Sequence, residues 1–411
     1  MRFKKRKKRG LVLLLAAVLL ASVLSGCGAS RDRAGSGASD KGTRLQVVTT
    51  IFPQYDFARY IGGDRADVHM LLKPGEEIHS YEPTPQDIRL IQNSDLFIYV
   101  GGENDVWVDN ILKSVGEDGP RAVRLLDLAG KTYAEQDLEG MMPERGGHEH
   151  SHEDHDAHAE TEAETAHEAE AEEDHAHEET ETETAHETGE EDHDHAEDAA
   201  EEDHSHHAGG RSHADEPDEH VWTSPENCVT LIAELTDIFC ETDPENAAVY
   251  RANGDDYRRK FEDLDRQYLE MAARARRKTI LFGDRFPFRY LAEELGLTCY
   301  AAFSGCSSDS EPNAATIAFL INKAAEEELP VVFKIEFSNG NIAEAICEAA
   351  QVRADRRAAR TQSGAEPPRM QVLQLHSCHN VTRDEFESGQ TCLSLMKKNL
   401  KALETALGAG Q

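Results

Sequence analysis

The sequence predicts an α/β protein of two lobes, each with a central, mostly parallel sheet and flanking helices, joined by a long rigid helix. Three observations predict this fold class. Short β-branched runs alternate with helical patterns in two parts of the chain, one long helical pattern lies between them, and 411 residues suffice for two domains. We expect a cleft between the lobes in which a ligand binds.

The N-terminus has the pattern of a targeting segment. Six basic residues, Lys4 to Arg9, precede an apolar run from Leu11 to Leu24 that is too short for a comfortable membrane span. The run ends in Leu24-Ser25-Gly26-Cys27, which resembles the bacterial lipobox, where the cysteine becomes the lipidated first residue. We therefore predict a signal peptide over 1–26, a lipid anchor on Cys27 and a flexible tether over 27–43. An uncleaved anchor or an ordinary secretion signal is the alternative, and both also place the protein outside the cytoplasm.

The first lobe is predicted over 44–243, with alternating strands and helices. Strands are expected over 45–51, 68–72, 96–100 and 121–126, and helices over 57–61, 85–93 and 106–115. A further helix begins at Ser224 and Pro225, because proline is favoured at the first helical position, and it runs to about Cys240.

Residues 144–219 interrupt this lobe with Glu, Asp, His, Ala and Thr and almost no apolar side chains. The stretch holds 31 acidic and two basic residues, so it contributes −29 of the net charge of −36. Such a segment buries too little apolar surface to offset its ordering entropy, so we expect a disordered insertion. The rest of the chain is mildly acidic, which excludes nucleic acid as an expected partner, because phosphates need a basic face.

A long helical pattern over 244–277 joins the lobes, and about 30 helical residues span about 45 Å. The second lobe, 278–411, repeats the alternation of the first. Strands are expected over 279–282, 298–303, 331–335 and 371–375, and helices over 288–295, 313–328, 342–350 and 392–407.

Four side chains that can bind metal lie at strand ends or helix starts, two in each lobe. His79 lies on a loop after the second predicted strand, His220 lies just before the helix start at Ser224, and Asp284 and His376 each follow a strand of the second lobe. Each alone is better explained as a surface or capping residue. Their shared position favours a metal site, because open α/β sheets bind ligands at the carboxyl ends of their strands. Three imidazoles and one carboxylate suit tetrahedral zinc, whereas manganese favours more oxygen ligands.

The chain resembles the zinc and manganese solute-binding lipoproteins of ABC importers from Gln46 to Leu407. The most specific part is His79 with Tyr81-Glu82-Pro83-Thr84-Pro85. His220-Val221-Trp222 and the His- and acid-rich insertion come next, and such an insertion is typical of the zinc branch. The resemblance implies two α/β lobes joined by a rigid helix, a Zn²⁺ ion (Mn²⁺ as the alternative) in the cleft, and an ABC permease in the membrane as partner.

Two positions depart from the family's pattern. The family usually has a histidine after the first strand of the second lobe, and strict register puts Arg285 there. Since arginine cannot bind a cation, we assign its neighbour Asp284. The family's last ligand is usually an aspartate, and here that position is His376. The predicted ligands are therefore His79, His220, Asp284 and His376. The predicted neighbours of the ion, and the alternatives to Asp284, are His379 and Glu336.

Fifteen of the twenty histidines lie in the insertion. At this density they favour a weak metal-gathering tract near the cleft over a plain solvated linker. The histidines that we single out are His148, His150, His152, His155, His204, His206 and His207.

Seven cysteines remain after Cys27, in a compartment that permits disulfides. Cys306 and Cys378 lie in loops after neighbouring strands of the second lobe. We predict a disulfide between them that fixes the His376 loop, and a thiolate metal ligand is the alternative.

The pattern predicts a binding protein and not an enzyme. Four protein ligands close a tetrahedral shell, whereas a catalytic zinc keeps an open position and needs a base nearby. Outside the His-rich insertion, the sequence also lacks a His-Glu-x-x-His motif. We expect a monomer that captures Zn²⁺ and delivers it to the permease. The alternatives are a manganese-binding importer component and a surface metal buffer or adhesin.

Overall fold

The computed structural model describes residues 44–77, 81–102, 105–116, 119–135, 138–140, 217–305, 312–361 and 367–409. The predicted signal peptide, the lipidation site Cys27, the tether and the histidines of the insertion lie outside the described residues, as do His79 and Cys306. Within the described ranges, no helix is long and apolar enough to cross a membrane. Both lobes belong to one compact unit, Gln46–Gln411.

The first lobe alternates short strands with helices. Its strands are β1 (Leu45–Thr49), β2 (Ala66–Met70), β3 (Leu96–Tyr99) and β4 (Arg121–Arg124), and its first helices are α1 (Phe52–Gly62), α2 (Pro85–Gln92), α3 (Val106–Val115) and α4 (Leu125–Leu128). The sheet order is β2-β1-β3-β4, and β3 runs parallel to β1 and to β4. Because parallel strands align their carboxyl ends, the loops after them meet at one edge of the sheet.

Two long helices follow the first sheet, α5 (Pro225–Thr242) and α6 (Ala247–Arg274). Helix α5 begins after Ser224, whose side chain accepts a hydrogen bond from the amide of Asn227. Helix α6 continues through Gly254 without a break. A Cβ at Gly254 would lie 2.0 Å from Oγ1 of Thr236, so glycine allows α5 and α6 to pack closely at this point.

The second lobe repeats the strand order of the first. Its strands are β5 (Thr279–Arg285), β6 (Thr298–Phe303), β7 (Val331–Lys334) and β8 (Gln371–Gln374), and its helices are α7 (Arg289–Leu295), α8 (Ala314–Glu326), α9 (Asn341–Thr361), α10 (Arg383–Glu387) and α11 (Cys392–Leu407). The sheet order is β6-β5-β7-β8, with parallel pairing of β5 to β6 and β7 and of β7 to β8. The predicted fold class, two parallel α/β lobes with a long helix between them, is confirmed.

Helix α6 is bonded to both lobes. The hydroxyl of Tyr257 donates to the buried carboxylate of Asp56 in α1, and the hydroxyl of Tyr268 donates to the carbonyl of Met396 in α11 at 2.6 Å. Asp56 also accepts a hydrogen bond from the amide of Cys392 at 2.9 Å. These buried contacts explain how one helix holds two separate sheets in a fixed relation.

Four helices differ from the sequence prediction. Helix α1 begins at Phe52, before the predicted 57–61, and α4 replaces the end of the strand predicted over 121–126. Helix α9 continues to Thr361, beyond the predicted end at 350, because the added residues are mostly good helix formers such as Ala and Arg. The short helix α10 was not predicted. Its start carries a capping box, in which Thr382 and Glu385 each bond the other's backbone amide, so the sequence did contain a signal for it.

Candidate metal site

A loop of the second lobe, 376–381, lies directly against the loops that follow the first two strands of the first lobe. The amide of Phe52 donates to the carbonyl of His379 at 3.2 Å, and the amide of Gly75 donates to the carbonyl of Val381 at 2.8 Å. The side-chain amide of Asn380 donates to the carbonyls of Lys73 and Glu76 at 2.7 and 2.9 Å. This loop therefore brings second-lobe side chains to the carboxyl ends of the first-lobe strands.

His220 is fully buried and has a fixed ring orientation. Its Nδ1 lies 2.8 Å from Oδ1 of Asp218, and its own backbone amide donates to the same oxygen at 2.8 Å. The Nε2 atom is buried and has no hydrogen-bond partner among the described residues. A carboxylate on Nδ1 keeps the proton there and leaves the Nε2 lone pair for another ligand, which is the arrangement of most metal-binding histidines.

The pKa of His220 reflects two opposing effects. Burial lowers the pKa of His220, whereas the negative charge of Asp218 raises it. The net pKa lies above the ordinary value for histidine. The same carboxylate would stabilise a positive metal ion on Nε2, since it stabilises positive charge on this ring.

His379 lies next to His220. The centroids of the two rings are 4.6 Å apart in an edge-to-face arrangement, and the ring of Trp222 lies 5.1 Å from His379. Nδ1 of His379 is 3.0 Å from Oγ of Ser377, and its Nε2 is buried. The indole Nε1 of Trp222 donates to the carbonyl of Ser377 at 2.8 Å, which fixes the two histidine segments to each other.

A cavity of about 30 Å³ adjoins His379. Glu77, Arg285, Gly305, Glu336 and His379 are among the residues that line it. This volume holds one small ion or water-sized group. A Cβ at Gly305 would lie 3.2 Å from Cε1 of His220, so the absence of a side chain there leaves room for the imidazole. Because Glu77 precedes His79 by two residues, the loop that carries His79 starts at the same cavity.

Glu336 follows strand β7 and is almost fully buried. Its Oε2 accepts a hydrogen bond from the amide of Ser377 at 2.7 Å, and its Oε1 is hydrogen-bonded to the hydroxyl of the same residue. The carboxylate therefore fixes the loop between His376 and His379 while it also borders the cavity.

Asp284 has a different environment from the one that the sequence predicts. Its Oδ1 accepts a hydrogen bond from the amide of Arg285 at 2.9 Å, and its Oδ2 accepts one from the amide of Ile335 at 3.3 Å. The carboxylate thereby joins the ends of β5 and β7. Arg285 lines the cavity and Asp284 does not. The residue at the cavity is thus the one that aligns with the family's usual histidine position.

His376 is buried at the end of β8, but its nitrogens are engaged differently from those of His220. Nδ1 accepts a hydrogen bond from the amide of Cys378 at 3.0 Å, so the ring proton lies on Nε2, which faces Oε2 of Glu385 at 3.7 Å. Burial lowers the pKa of His376, but Glu336 and Glu385 outweigh it and raise the pKa well above the ordinary value. In this tautomer Nε2 carries the proton, although, like Nε2 of His220, it is buried and has no hydrogen-bond partner in the described part of the chain. His376 therefore stays a predicted ligand.

Cys378 carries a free thiol whose Sγ donates to the carbonyl of His376 at 3.8 Å. Cys306 lies outside the described residues, so the disulfide between Cys306 and Cys378 stays a prediction.

Two imidazoles are brought together, but the described residues do not by themselves complete a shell. Within the described ranges, no three side chains of His, Cys, Asp and Glu converge closely enough to hold an ion. The contacts that sequence reasoning missed are those of Asp218 and Ser377. The signal for the first was an aspartate two residues before His220. The second had no signal, because Ser377 bonds Glu336, 41 residues away, and its carbonyl bonds Trp222 of the first lobe.

Comparison with known proteins places the chain among metal-uptake proteins. A family model described as zinc-uptake complex component A, periplasmic, matches residues 47–406. The high-affinity zinc uptake system protein ZnuA of Bacillus subtilis is 29% identical over 402 residues, which cover 98% of each chain. The zinc-binding lipoprotein AdcA of Streptococcus pneumoniae is 26% identical over 393 residues, which make up 96% of this chain and 60% of AdcA.

Solved structures share the fold. The Zn(II)-bound ZnuA-like domain of Streptococcus pneumoniae AdcA superposes with a TM-score of 0.56 at 22% identity, covering 89% of this chain and 99% of that domain. The periplasmic zinc-binding protein TroA of Treponema pallidum gives 0.59 at 16% identity, covering 89% and 99%. At sequence identities this low, the similarity to these structures establishes the fold alone, two lobes joined by a long helix.

Proposed function

The chain belongs to the family of periplasmic zinc-uptake component A proteins, and from this premise we propose that it captures Zn²⁺ outside the cytoplasm and delivers it to the permease of an ABC importer. Zinc is the transported cargo and no chemical step is required. A protein with this task must hold the ion firmly between two lobes and release it to a membrane partner.

The observation that carries the proposal is the state of His220. Its imidazole is fully buried with a carboxylate on Nδ1, and its buried Nε2 accepts no hydrogen bond from the part of the chain that the structure describes, which is costly unless Nε2 has a ligand. Zinc bound at Nε2 would supply the missing partner, and Asp218 would complete a carboxylate–histidine–zinc arrangement.

We place the remaining ligands around the cavity beside His220. His379 is the nearest second imidazole, and Glu336 is a buried carboxylate on the cavity wall. His79 lies outside the described residues, and we infer it as the third imidazole because it follows Glu77, which lines the same cavity, by two residues in the sequence. This set keeps three histidines and one carboxylate, with His379 and Glu336 in the places that the sequence assigned to His376 and Asp284.

The donor types favour zinc over manganese. Two adjacent imidazoles supply nitrogen ligands, which zinc accepts readily in a four-coordinate site, whereas manganese favours a shell rich in oxygen. The predicted lipid on Cys27 would keep the protein at the membrane beside its permease, and the insertion would gather metal near the cleft by weak, exchangeable binding.

Metal titration tests the proposal. We would titrate Zn²⁺ and Mn²⁺ into the mature protein and into a form that lacks 144–219, using a competing chelator of known affinity. Both proteins should bind one tight zinc, and only the longer one should bind several more weakly. Loss of the tight site on deletion would refute the division of labour between core and insertion, and tight manganese with weak zinc would refute the metal assignment.

A further inference from the structure

The described residues on either side of the insertion form a narrow stem, which we define as 133–135 and 138–140 on the outgoing side and 217–219 on the returning side. The two sides pair with each other. Ala134 and Pro217 form an antiparallel bridge, and the amide of Asp218 donates to the carbonyl of Tyr133 at 2.8 Å. The returning side leads directly into His220, so any contact of the stem also bears on that imidazole.

Helix α7 of the second lobe holds both sides of the stem through one hydroxyl group. The hydroxyl of Tyr290 donates to the carbonyl of Asp218 at 2.6 Å, and its oxygen accepts from the amide of Tyr133 at 3.5 Å. The rings of Tyr133 and Tyr290 lie 5.5 Å apart, and the guanidinium of Arg289 lies 5.7 Å from the centre of the Tyr133 ring. Tyr290 is almost fully buried, so water cannot readily replace these hydrogen bonds.

Helix α8 of the second lobe holds the outgoing side at a second point. A Cβ on Gly140, whose φ is +89°, would lie 2.2 Å from Cδ1 of Phe319, so the backbone packs against the ring where only glycine fits. The carboxylate of Glu139 lies 3.9 Å from Nζ of Lys323, which is itself 5.5 Å from the centre of the Phe319 ring. Because the side chain of Glu139 is 69% exposed, this ion pair contributes little, and the packing on Phe319 is the main contact.

The stem therefore connects the lobe boundary to the candidate metal ligand. Asp218, whose carbonyl bonds Tyr290, is also the residue whose carboxylate orients the ring of His220. His220 has no exposed surface, so an ion on its Nε2 leaves only after the segments around it move. Separation of the lobes at this point must break the two hydrogen bonds of Tyr290 and the packing of Gly140 on α8.

We propose that the stem is a strap between the lobes, held by Tyr290 and Phe319 as positioning residues, and that its attachment slows the release of zinc. While the strap is attached, the second lobe keeps His220 in place. When it detaches, the segment that carries His220 can move and the ion can leave. The inference rests on the proposed function, because Tyr290 and Phe319 act on the ion only through the stem and His220.

The first test variant is Tyr290→Phe, which removes the hydroxyl from the strap and keeps the ring. Its matched control is Tyr250→Phe. Tyr250 is also fully buried, and its hydroxyl donates to the carboxylate of Asp243 at the same distance of 2.6 Å. Both variants lose one buried hydroxyl, and only the first loses it at the strap.

The second test variant is Gly140→Ala, which places a Cβ against the Phe319 ring. Its matched control is Gly116→Ala. Gly116 also has a positive φ, +72°, but a Cβ there would meet nothing within 4 Å. Both variants carry similar backbone strain, and only Gly140→Ala forces the stem away from α8.

Two measurements on the whole mature protein test the strap. Mixing the zinc-loaded protein with excess chelator in a stopped-flow instrument gives the rate of zinc release. Hydrogen exchange of the metal-free protein reports whether the amides of 131–135 and 217–220 stay protected. Both strap variants should release zinc about 3- to 10-fold faster, which is the usual size of one net hydrogen bond, with a nearly unchanged association rate. Both should also exchange faster at the stem, whereas the two controls should match the wild type in both measurements.

Wild-type release rates in Tyr290→Phe and Gly140→Ala would overturn the role of the strap in zinc release, and wild-type exchange at the stem would overturn its attachment to the second lobe. Gly140→Ala decides the matter if Tyr290→Phe does not fold. Wild-type protein that binds no zinc tightly would instead overturn the proposed function, and the exchange rates of the metal-free variants would still test the attachment of the stem.

Discussion

His220 and His376 are both buried imidazoles at the edge of a sheet, but their ring nitrogens are used in opposite ways. In the first lobe, Nδ1 of His220 donates a hydrogen bond to the carboxylate of Asp218, and Nε2 has no hydrogen-bond partner among the described residues. In the second lobe, the amide of Cys378 donates to Nδ1 of His376, which leaves the proton on Nε2; this Nε2 faces Glu385 at 3.7 Å and also has no hydrogen-bond partner within the described ranges. The comparison predicts that His220 is the better metal ligand of the two, because the group on Nδ1 decides whether the Nε2 lone pair is free.

The largest effect should come from removing the two imidazoles in turn. His220→Ala should weaken tight zinc binding by more than about 100-fold. Loss of a residue that binds the ion costs more affinity than loss of a residue hydrogen-bonded to such a ligand. His376→Ala should weaken it by less than about tenfold, because this ring holds its Nε2 proton. Zinc competition titrations would measure both, with the exposed His69→Ala as the matched control. Equal damage from His376→Ala in a folded protein would return His376 to the ligand set.

A smaller effect should come from the carboxylates that partner the two rings. Asp218→Asn places an amide beside Nδ1 of His220, and an amide can donate to that nitrogen and move the ring proton to Nε2. We expect zinc affinity to fall by about 10- to 100-fold. Glu385→Gln makes the same change beside His376 and should alter affinity by less than about threefold on the same scale. A stronger effect from Glu385→Gln would contradict the separation of the two environments.

The smallest effect concerns stability and pH in the metal-free protein. The folded-state pKa of His376 is raised, so the stabilisation that comes from its protonation is fully present below about pH 6.5 and is lost as pH rises through the folded value. His376→Gln should therefore lower the melting temperature by about 2–4 °C at pH 6, and by less at pH 9. Thermal unfolding at the two pH values measures the difference in melting temperature between the wild type and His376→Gln. A difference that grows with pH would show that the pKa of His376 is not raised.

The fold followed from local patterns in the sequence. The alternation of strands and helices, the helix start at Ser224 and Pro225, and the apolar stripe of α6 are set by neighbouring residues, so they could be read from the chain alone. The sequence also predicted that His220 and the loop of Glu77 lie near the candidate site, because the strand order places both at the carboxyl ends of strands. The bond between Tyr268 and Met396 could not be predicted, because it joins residues 128 positions apart.

By itself, the sequence determined the two α/β lobes, the family and the preference for zinc, since these depend on periodicity, residue type and motif spacing. Only the tertiary structure decided which second-lobe side chain faces the first lobe. His376 and His379 are three residues apart and chemically identical, and the distinction came from Cys378, Glu385 and Ser377 packing around them. The position of a ring proton depends on groups brought together by folding, so spacing along the chain does not contain it.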